Sequence, residues 1–139
     1  MTEPNEQYAY FSVTGDFNPA DLSALVGIAA SESWQKGDIN PRTQLERKFS
    51  RWSMHSRLAR SCELEAHIVD VLAQIAVNRS AFKSLSLDFK GVMQLVGYFK
   101  TSYPGVHFDR ELVESLAEYA LSVDFDFYYL YSHEREDTD

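Results

Sequence analysis

Tyr8-Ala9-Tyr10-Phe11-Ser12-Val13-Thr14, running into Gly15-Asp16-Phe17-Asn18-Pro19, is the stretch that decides the fold. Residues 8–14 are aromatic and β-branched, and they alternate. Ala9, Phe11 and Val13 point one way and Tyr8, Tyr10 and Ser12 the other, the period of a half-buried strand. Gly15 and Asp16 break the strand. Asn18 then offers a side-chain oxygen to cap a helix, with Pro19 at the first helical position, where its missing N–H costs nothing. Leu22, Leu25 and Val26 form the buried stripe of that helix and Gly27 ends it.

The same grammar recurs along the chain. Residues 31–44 read as a loop carrying Trp34 and the turn Lys36-Gly37-Asp38. A second strand over 47–56 sets Phe49, Arg51, Ser53 and His55 against Trp52 and Met54. Trp52 is therefore expected in the core and Trp34 partly exposed. Ser61 or Cys62 opens a helix to about residue 77, with Ile68, Val71, Leu72 and Ile75 at spacings of three and four. Asn78 interrupts it, and a shorter helix over 80–87 carries Phe82 and Leu85. A third strand fits 91–100, with Val92, Val96 and Tyr98 opposite Met93, Leu95 and Phe99. Asp109 caps a last helix bearing Leu112, Val113, Leu116, Ala117 and Ala120. A fourth strand follows at 122–131, where Val123, Phe125, Phe127 and Tyr129 oppose Asp124, Asp126 and Tyr128. The expectation is a single α+β domain with a four-stranded, largely antiparallel sheet in the order β-α-β-(α-α)-β-α-β, ferredoxin-like with a helical insertion. Residues 1–7 and 132–139 are expected to fray. Phe17 followed by Leu22, Leu25 and Val26 echoes Phe108 followed by Val113, Leu116 and Ala117. An internal duplication and the shared grammar of amphipathic helices both account for that echo.

The chain has 139 residues, 45% of them hydrophobic and 24% charged, with 19 aromatic side chains. Surface scaling lets such a chain bury about two-thirds of its unfolded area, enough for a core without disulfides or metal. One cysteine, Cys62, excludes a disulfide scaffold and suits a reducing compartment. The start is acidic and polar and no apolar stretch reaches the roughly 20 residues of a membrane span, so the location expected is cytoplasmic. The net charge of −8 argues against nucleic acid or anionic lipid as a partner. That charge is unevenly spread. Residues 35–60 hold Lys36, Arg42, Arg47, Lys48, Arg51, Arg57 and Arg60 against Asp38 and Glu46, whereas residues 109–139 hold ten carboxylates against two arginines. The two regions either pair internally on a solvated surface or steer a charged macromolecule.

The strand running into Gly15-Asp16-Phe17-Asn18-Pro19, the helix end Leu25-Val26-Gly27-Ile28, Trp34 with Lys36-Gly37-Asp38, Trp52-Ser53 and the closing Asp124-Phe125-Asp126-Phe127-Tyr128 resemble a bacterial family, DUF4279, a domain of unknown function. The likeness runs over roughly residues 8 to 131. It implies one small α+β domain and no activity, so no catalytic residue is carried over.

The residues themselves offer little chemistry. Cys62 stands at a helix start, but His67 is five positions on, while Glu63 and His67 form an ordinary i, i+4 surface pair. His55, His67, His107 and His133 have no metal-ligand spacing, and the six glycines form no phosphate loop. Asp124 and Asp126 stand about 7 Å apart on one strand face, near the separation of paired glycosidase carboxylates. Alternation with Phe125 and Phe127 makes them carboxylates of a half-exposed strand. No catalytic group, cofactor or metal is expected.

What remains is the polar face of the sheet. Tyr8, Tyr10, Tyr98, Asp124, Asp126 and Tyr128 are the candidate partner-binding residues, unless loops or the 78–90 insertion cover them. Tyrosine beside charge favours a protein partner, because the ring buries area and keeps a polar handle. The reading is a non-catalytic protein-binding module, most concretely an immunity-type protein that neutralises a basic toxin. The alternative is a small-ligand sensor or accessory domain with a pocket at Trp34, Lys36 and Asp38, and an enzyme of unrecognised type stands behind both.

Overall fold

Strand β1 (Glu6–Gly15) lies at the centre of the sheet, and the computed structural model describes residues 4–102 and 104–130 around it. Helix α1 (Pro19–Val26) follows, then β2 (Glu32–Trp34), β3 (Ser50–His55), α2 (Leu64–Ile75), a 3-10 turn at Ala76–Asn78, α3 (Arg79–Phe89), β4 (Val92–Phe99), α4 (Arg110–Glu118) and β5 (Ser122–Tyr129). The sheet order is β2-β3-β1-β4-β5. Strands β3 and β4 flank β1 antiparallel, β2 pairs antiparallel with β3, and β5 runs parallel to β4.

This is a mixed α+β domain, but the expected four strands are five and the order is not ferredoxin-like. The extra strand is β2, inside a segment read as loop; its three residues are too few to show alternation. The order departs in the first half. After α1 the chain passes through β2 and a long connection, and Ser50, buried and donating its hydroxyl to the Phe17 carbonyl at 2.6 Å, anchors the start of β3 to the turn that follows β1. With Ser50 against Gly15, β3 runs antiparallel. In the second half the chain comes back after α4 to the start of β4, Ser122 pairs with Val92, and β5 is parallel. The two halves that echo each other in sequence are thus joined differently.

The caps and most faces fall as the spacing predicts. Asn18 Oδ1 accepts from the Ala20 amide at 3.0 Å and Asp109 Oδ1 from the Leu112 amide at 2.8 Å. Gly27 closes α1 at φ 75°, a conformation costly for side chains with a Cβ. One core gathers Ala9, Phe11 and Val13 of β1 with Trp52, Met54, Met93 and Leu95, roofed by Leu22 and Val26, Ile68, Val71 and Ile75, Phe82 and Leu85, and Leu112 and Leu116 from the four helices. Gly97 lies on this face of β4 because Phe99 folds its ring over it; a Cβ there would collide with that ring.

Several expectations need correction. Leu25 and Val113 are exposed, and Ala117 with them; Tyr119 fills the space beneath α4 instead. Helix α2 begins at Leu64 with Glu63 before it, and no side chain caps it. His67 is no surface partner of Glu63 but is fully buried, 0% exposed. Residues 6 and 7 are not frayed: they belong to β1, and Asn5 just ahead accepts the Lys100 amide at 2.7 Å. The end of the expected fourth strand and the tail over 132–139 lie outside the described residues.

Asn78 does more than interrupt α2. Its side-chain amide donates to the Leu25 and Val26 carbonyls at 3.2 and 3.4 Å, pinning the α2–α3 corner to the end of α1. Trp52 is the largest side chain enclosed, at 0% exposure, edge-on to Phe11 at 6.0 Å and donating its indole N–H to Ser23 Oγ at 2.9 Å. Trp52→Ala should therefore cost about 3–5 kcal/mol as a cavity with an orphaned hydroxyl. Half-buried Trp34→Ala should cost about 2 kcal/mol or less. Urea melts of the two variants decide it, and an equal or larger loss for Trp34→Ala would overturn the assignment.

Candidate functional site

All four helices contribute to the core on one face of the sheet, so no helix covers the other among the described residues. Pairing fixes who stands there. Tyr10 sits opposite His55 and Gln94, Tyr8 opposite Val96, Ser12 opposite Ser53, and Gln94, Val96 and Tyr98 opposite Asp124, Asp126 and Tyr128. On β2, Glu32 and Trp34 pair with Ser53 and Arg51 and complete the face. The six candidates Tyr8, Tyr10, Tyr98, Asp124, Asp126 and Tyr128 thus share one surface. The 78–90 segment does not cover it: α3 packs on the core side, with Phe82 edge-on to Phe11 at 5.3 Å.

The rings on this face stack. Tyr10 and His55 are 4.6 Å apart and 8° from parallel, Tyr8 lies 5.7 Å from His55, and Tyr98 stacks on Tyr128 at 5.0 Å. Beneath them Ser12, Ser53 and Val96 are buried although no helix lies above. At the β2–β3 side, guanidinium groups sit over the rings: Arg47 at 3.8 Å and Arg51 at 5.5 Å from Trp34, Arg51 at 5.6 Å from Tyr10, and Arg60 at 4.4 Å from Tyr8. Each such contact is a cation held against a negative ring face. Arg51 also donates to Tyr10 Oη at 3.0 Å. At the β5 side the charge reverses, with Asp124 and Asp126 exposed. The face is an aromatic band, cationic at one edge and anionic at the other.

Its titrating groups reflect that arrangement. Burial, reinforced by the charge that the neighbouring Tyr98 phenol can carry, raises the Tyr8 phenol above its ordinary value, against the opposing pull of Arg60. The Tyr128 phenol is raised chiefly by donating to the Asp126 carboxylate. Burial lowers His55, and Arg60 and Arg51 push the same way while Glu32 opposes them. Sequence reading set Arg51 and His55 on the side of their strand away from Trp52 but could not foresee their contacts with Tyr10, because which strands are neighbours is not written in any one strand. It missed Arg47 and Arg60, which reach the face from loops.

Of the three residues expected at a ligand pocket, Trp34 stands apart from Lys36 and Asp38. Trp34 lines a cavity of about 230 Å³ with Thr43, Leu45, Arg47 and Phe49, whereas Lys36 and Asp38 serve the neighbouring turn. Lys36 pairs with Asp16 at 3.7 Å and gives its amide to Ser50 Oγ, and Asp38 accepts the Gln35 amide at 2.8 Å. A larger cavity of about 450 Å³ lies between α2 and α4, lined by Glu65, Val69, Leu72, His107, Glu111 and Ser115 among others. Helical spacing joins Glu65, Val69 and Leu72 on α2 and Glu111 and Ser115 on α4, but nothing in the sequence joins the two sets. Among the described residues no group of histidine, cysteine and carboxylate side chains could hold a metal, and no helix is long and apolar enough to cross a membrane.

A family model for a domain of unknown function, DUF4279, matches residues 5–130. The chain belongs to the DUF4279 family. The match takes in every strand of the face from β1 to β5, so the face lies within the family domain. The family name carries no reaction. No curated protein and no solved structure matches the chain.

Beside the face, the polar joint between β3 and α2 holds the sheet against its longest helix. Ser56 Oγ meets His67 Nδ1, Gln74 donates to the His55 carbonyl at 3.0 Å, and Arg57 binds Asp70 through its guanidinium at 2.7 Å and its amide at 2.8 Å. Burial alone would raise the Asp70 carboxyl, but Arg57 and Gln74 outweigh it and hold it below its usual value. Burial lowers His67; the Ala59 and Cys62 carbonyls and the Asp70 charge oppose the shift without reversing it. With the folded value below 6.5, the unfolded chain takes up a proton that the folded chain refuses. The stabilisation is complete above about pH 6.5 and is lost as pH falls below it. The urea midpoint should therefore drop between about pH 7.5 and about pH 5.5, and the drop should be shallower in His67→Gln. An equal drop in both proteins would assign the pH dependence elsewhere.

Proposed function

We propose that this chain is a non-catalytic protein-binding module and that the open face of its sheet is the docking surface. The observation that carries the reading is the gathering of Tyr8, Tyr10, Tyr98, Tyr128, Asp124 and Asp126 onto one face that no helix covers. Tyrosines supply contact area at low entropic cost, and a carboxylate edge steers a cationic partner and rejects an anionic one. Stacking supports it further, since rings already ordered against one another lose less freedom on binding. The most concrete form is an immunity-type role in the cytoplasm, in which the acidic β5 side of the face occupies a basic toxin.

A small-ligand role is the second reading. The cavity between α2 and α4, at about 450 Å³, is of the size that small ligands occupy. It lies away from the tyrosine face, so variants separate the two.

Asp124→Lys with Asp126→Lys should abolish capture of a basic protein from host extract and lower its association rate at least about tenfold at low salt. Stability should change by less than about 1 kcal/mol, because both carboxylates are exposed. Capture that survives the double substitution would move the interface off this face; extract that yields a bound small molecule and no protein would favour the cavity.

A further inference from the structure

We infer that β5 is itself a docking element: it accepts an extended partner segment as a sixth strand, one whose side chains alternate between basic and apolar. The inference deepens the protein-binding reading and rests on it. The two ends of the sheet differ. Strand β2 has three residues, the short edge with which proteins discourage unwanted pairing, whereas β5 has eight and contains no proline, glycine or lysine. It closes the sheet order, with β4 on one side and no strand on the other among the described residues. The Ser122 amide bonds the Gly91 carbonyl at 3.0 Å and the Leu130 amide the Phe99 carbonyl at 2.8 Å. By the two-residue alternation of a strand, even-numbered positions bond toward β4, and the N–H and C=O of Val123 and Phe125 point outward from the sheet.

The side chains state what an added strand must carry. Asp124 and Asp126 lie exposed on the open face, and Phe125, 54% exposed, lies on the helix side between them. A strand laid against β5 places side chains beside all three, so basic residues belong opposite the two carboxylates and an apolar residue opposite Phe125. A second copy of this chain is the poorer occupant. Antiparallel pairing of two β5 strands centred on Phe125 sets Asp124 directly against Asp126 of the copy, and centring on either aspartate sets like against like again. The carboxylates thus penalise self-pairing in those central registers and favour a cationic strand, the charge expected of the partner proposed above.

The test titrates the full chain with a synthetic peptide alternating lysine and valine, beside a peptide of the same composition with its lysines in one block and a third alternating glutamate and valine. The alternating basic peptide should bind at least about tenfold more tightly than either control and weaken as salt rises. Exchange of the Val123 and Phe125 amides should slow at least about tenfold on binding. Phe125→Pro, which removes an outward N–H while keeping both aspartates and the bonds to β4, should lose the peptide. Equal binding of the blocked peptide, binding that leaves the two amides exchanging freely, or no binding would each overturn the inference, and the exchange measurement on the unaltered chain does so whether or not the proline variant folds. Failure of the two readings is separable. Capture of a basic host protein by Phe125→Pro as well as by the unaltered chain leaves the sheet face as the surface and removes the edge. A chain that takes up the alternating peptide but captures no host protein keeps the edge and removes the partner.

Discussion

Strand β1 is hydrogen-bonded along both edges while only one of its faces is sealed, and the other elements take their places from that asymmetry. Ala9, Phe11 and Val13 draw all four helices to one side. Their neighbours Tyr8, Tyr10 and Ser12 are then left to a face with no second layer. A sheet in that position must satisfy itself, and here it does so with rings lying against rings and over small side chains: Tyr10 on His55, Tyr98 on Tyr128, with Ser12, Ser53 and Val96 beneath. Stability and exposure are reconciled by the same side chains, since each stacked pair removes apolar area from water while leaving hydroxyl groups and ring edges at the surface.

Charge follows strand order. The basic segment of residues 35–60 supplies Arg47 and Arg51 to the β2–β3 side, and the acidic segment supplies Asp124 and Asp126 to β5 at the far side. Among the described residues no ion pair joins the two: Lys36 pairs with Asp16, Arg57 with Asp70 and Arg110 with Glu114. The arginines are engaged by aromatic rings instead, and the aspartates stand in solvent. A polar axis therefore runs across the face, and a partner reading it is constrained in orientation as well as in sign.

The strands and caps were legible wherever one residue's physics decides locally. Alternation in 8–14 and 122–131 gave the faces of β1 and β5, and Asn18, Gly27 and Asp109 are caps because their side chains, or the lack of one, act within a single turn. Adjacency was not legible. Whether β3 runs parallel or antiparallel depends on a contact distant in sequence, Ser50 with the Phe17 carbonyl, and the three residues of β2 are too few to alternate visibly. The six face residues could be named because each obeys period two. Arg47 and Arg60 could not, because they come from loops whose path only tertiary structure sets. His67 shows the same limit in reverse: spacing pairs it with Glu63, but burial turns it inward to Ser56.

Hydroxyl-radical footprinting of the chain alone and in complex with its host partner tests the central claim most directly, because it reads side-chain exposure without altering the surface. The account predicts that oxidation of Tyr8, Tyr10, Tyr98 and Tyr128 falls on complex formation while that of Val69, Val77 and Leu87, exposed on the helix side, is unchanged. Protection of the helix-side residues with the four tyrosines still reactive would contradict it.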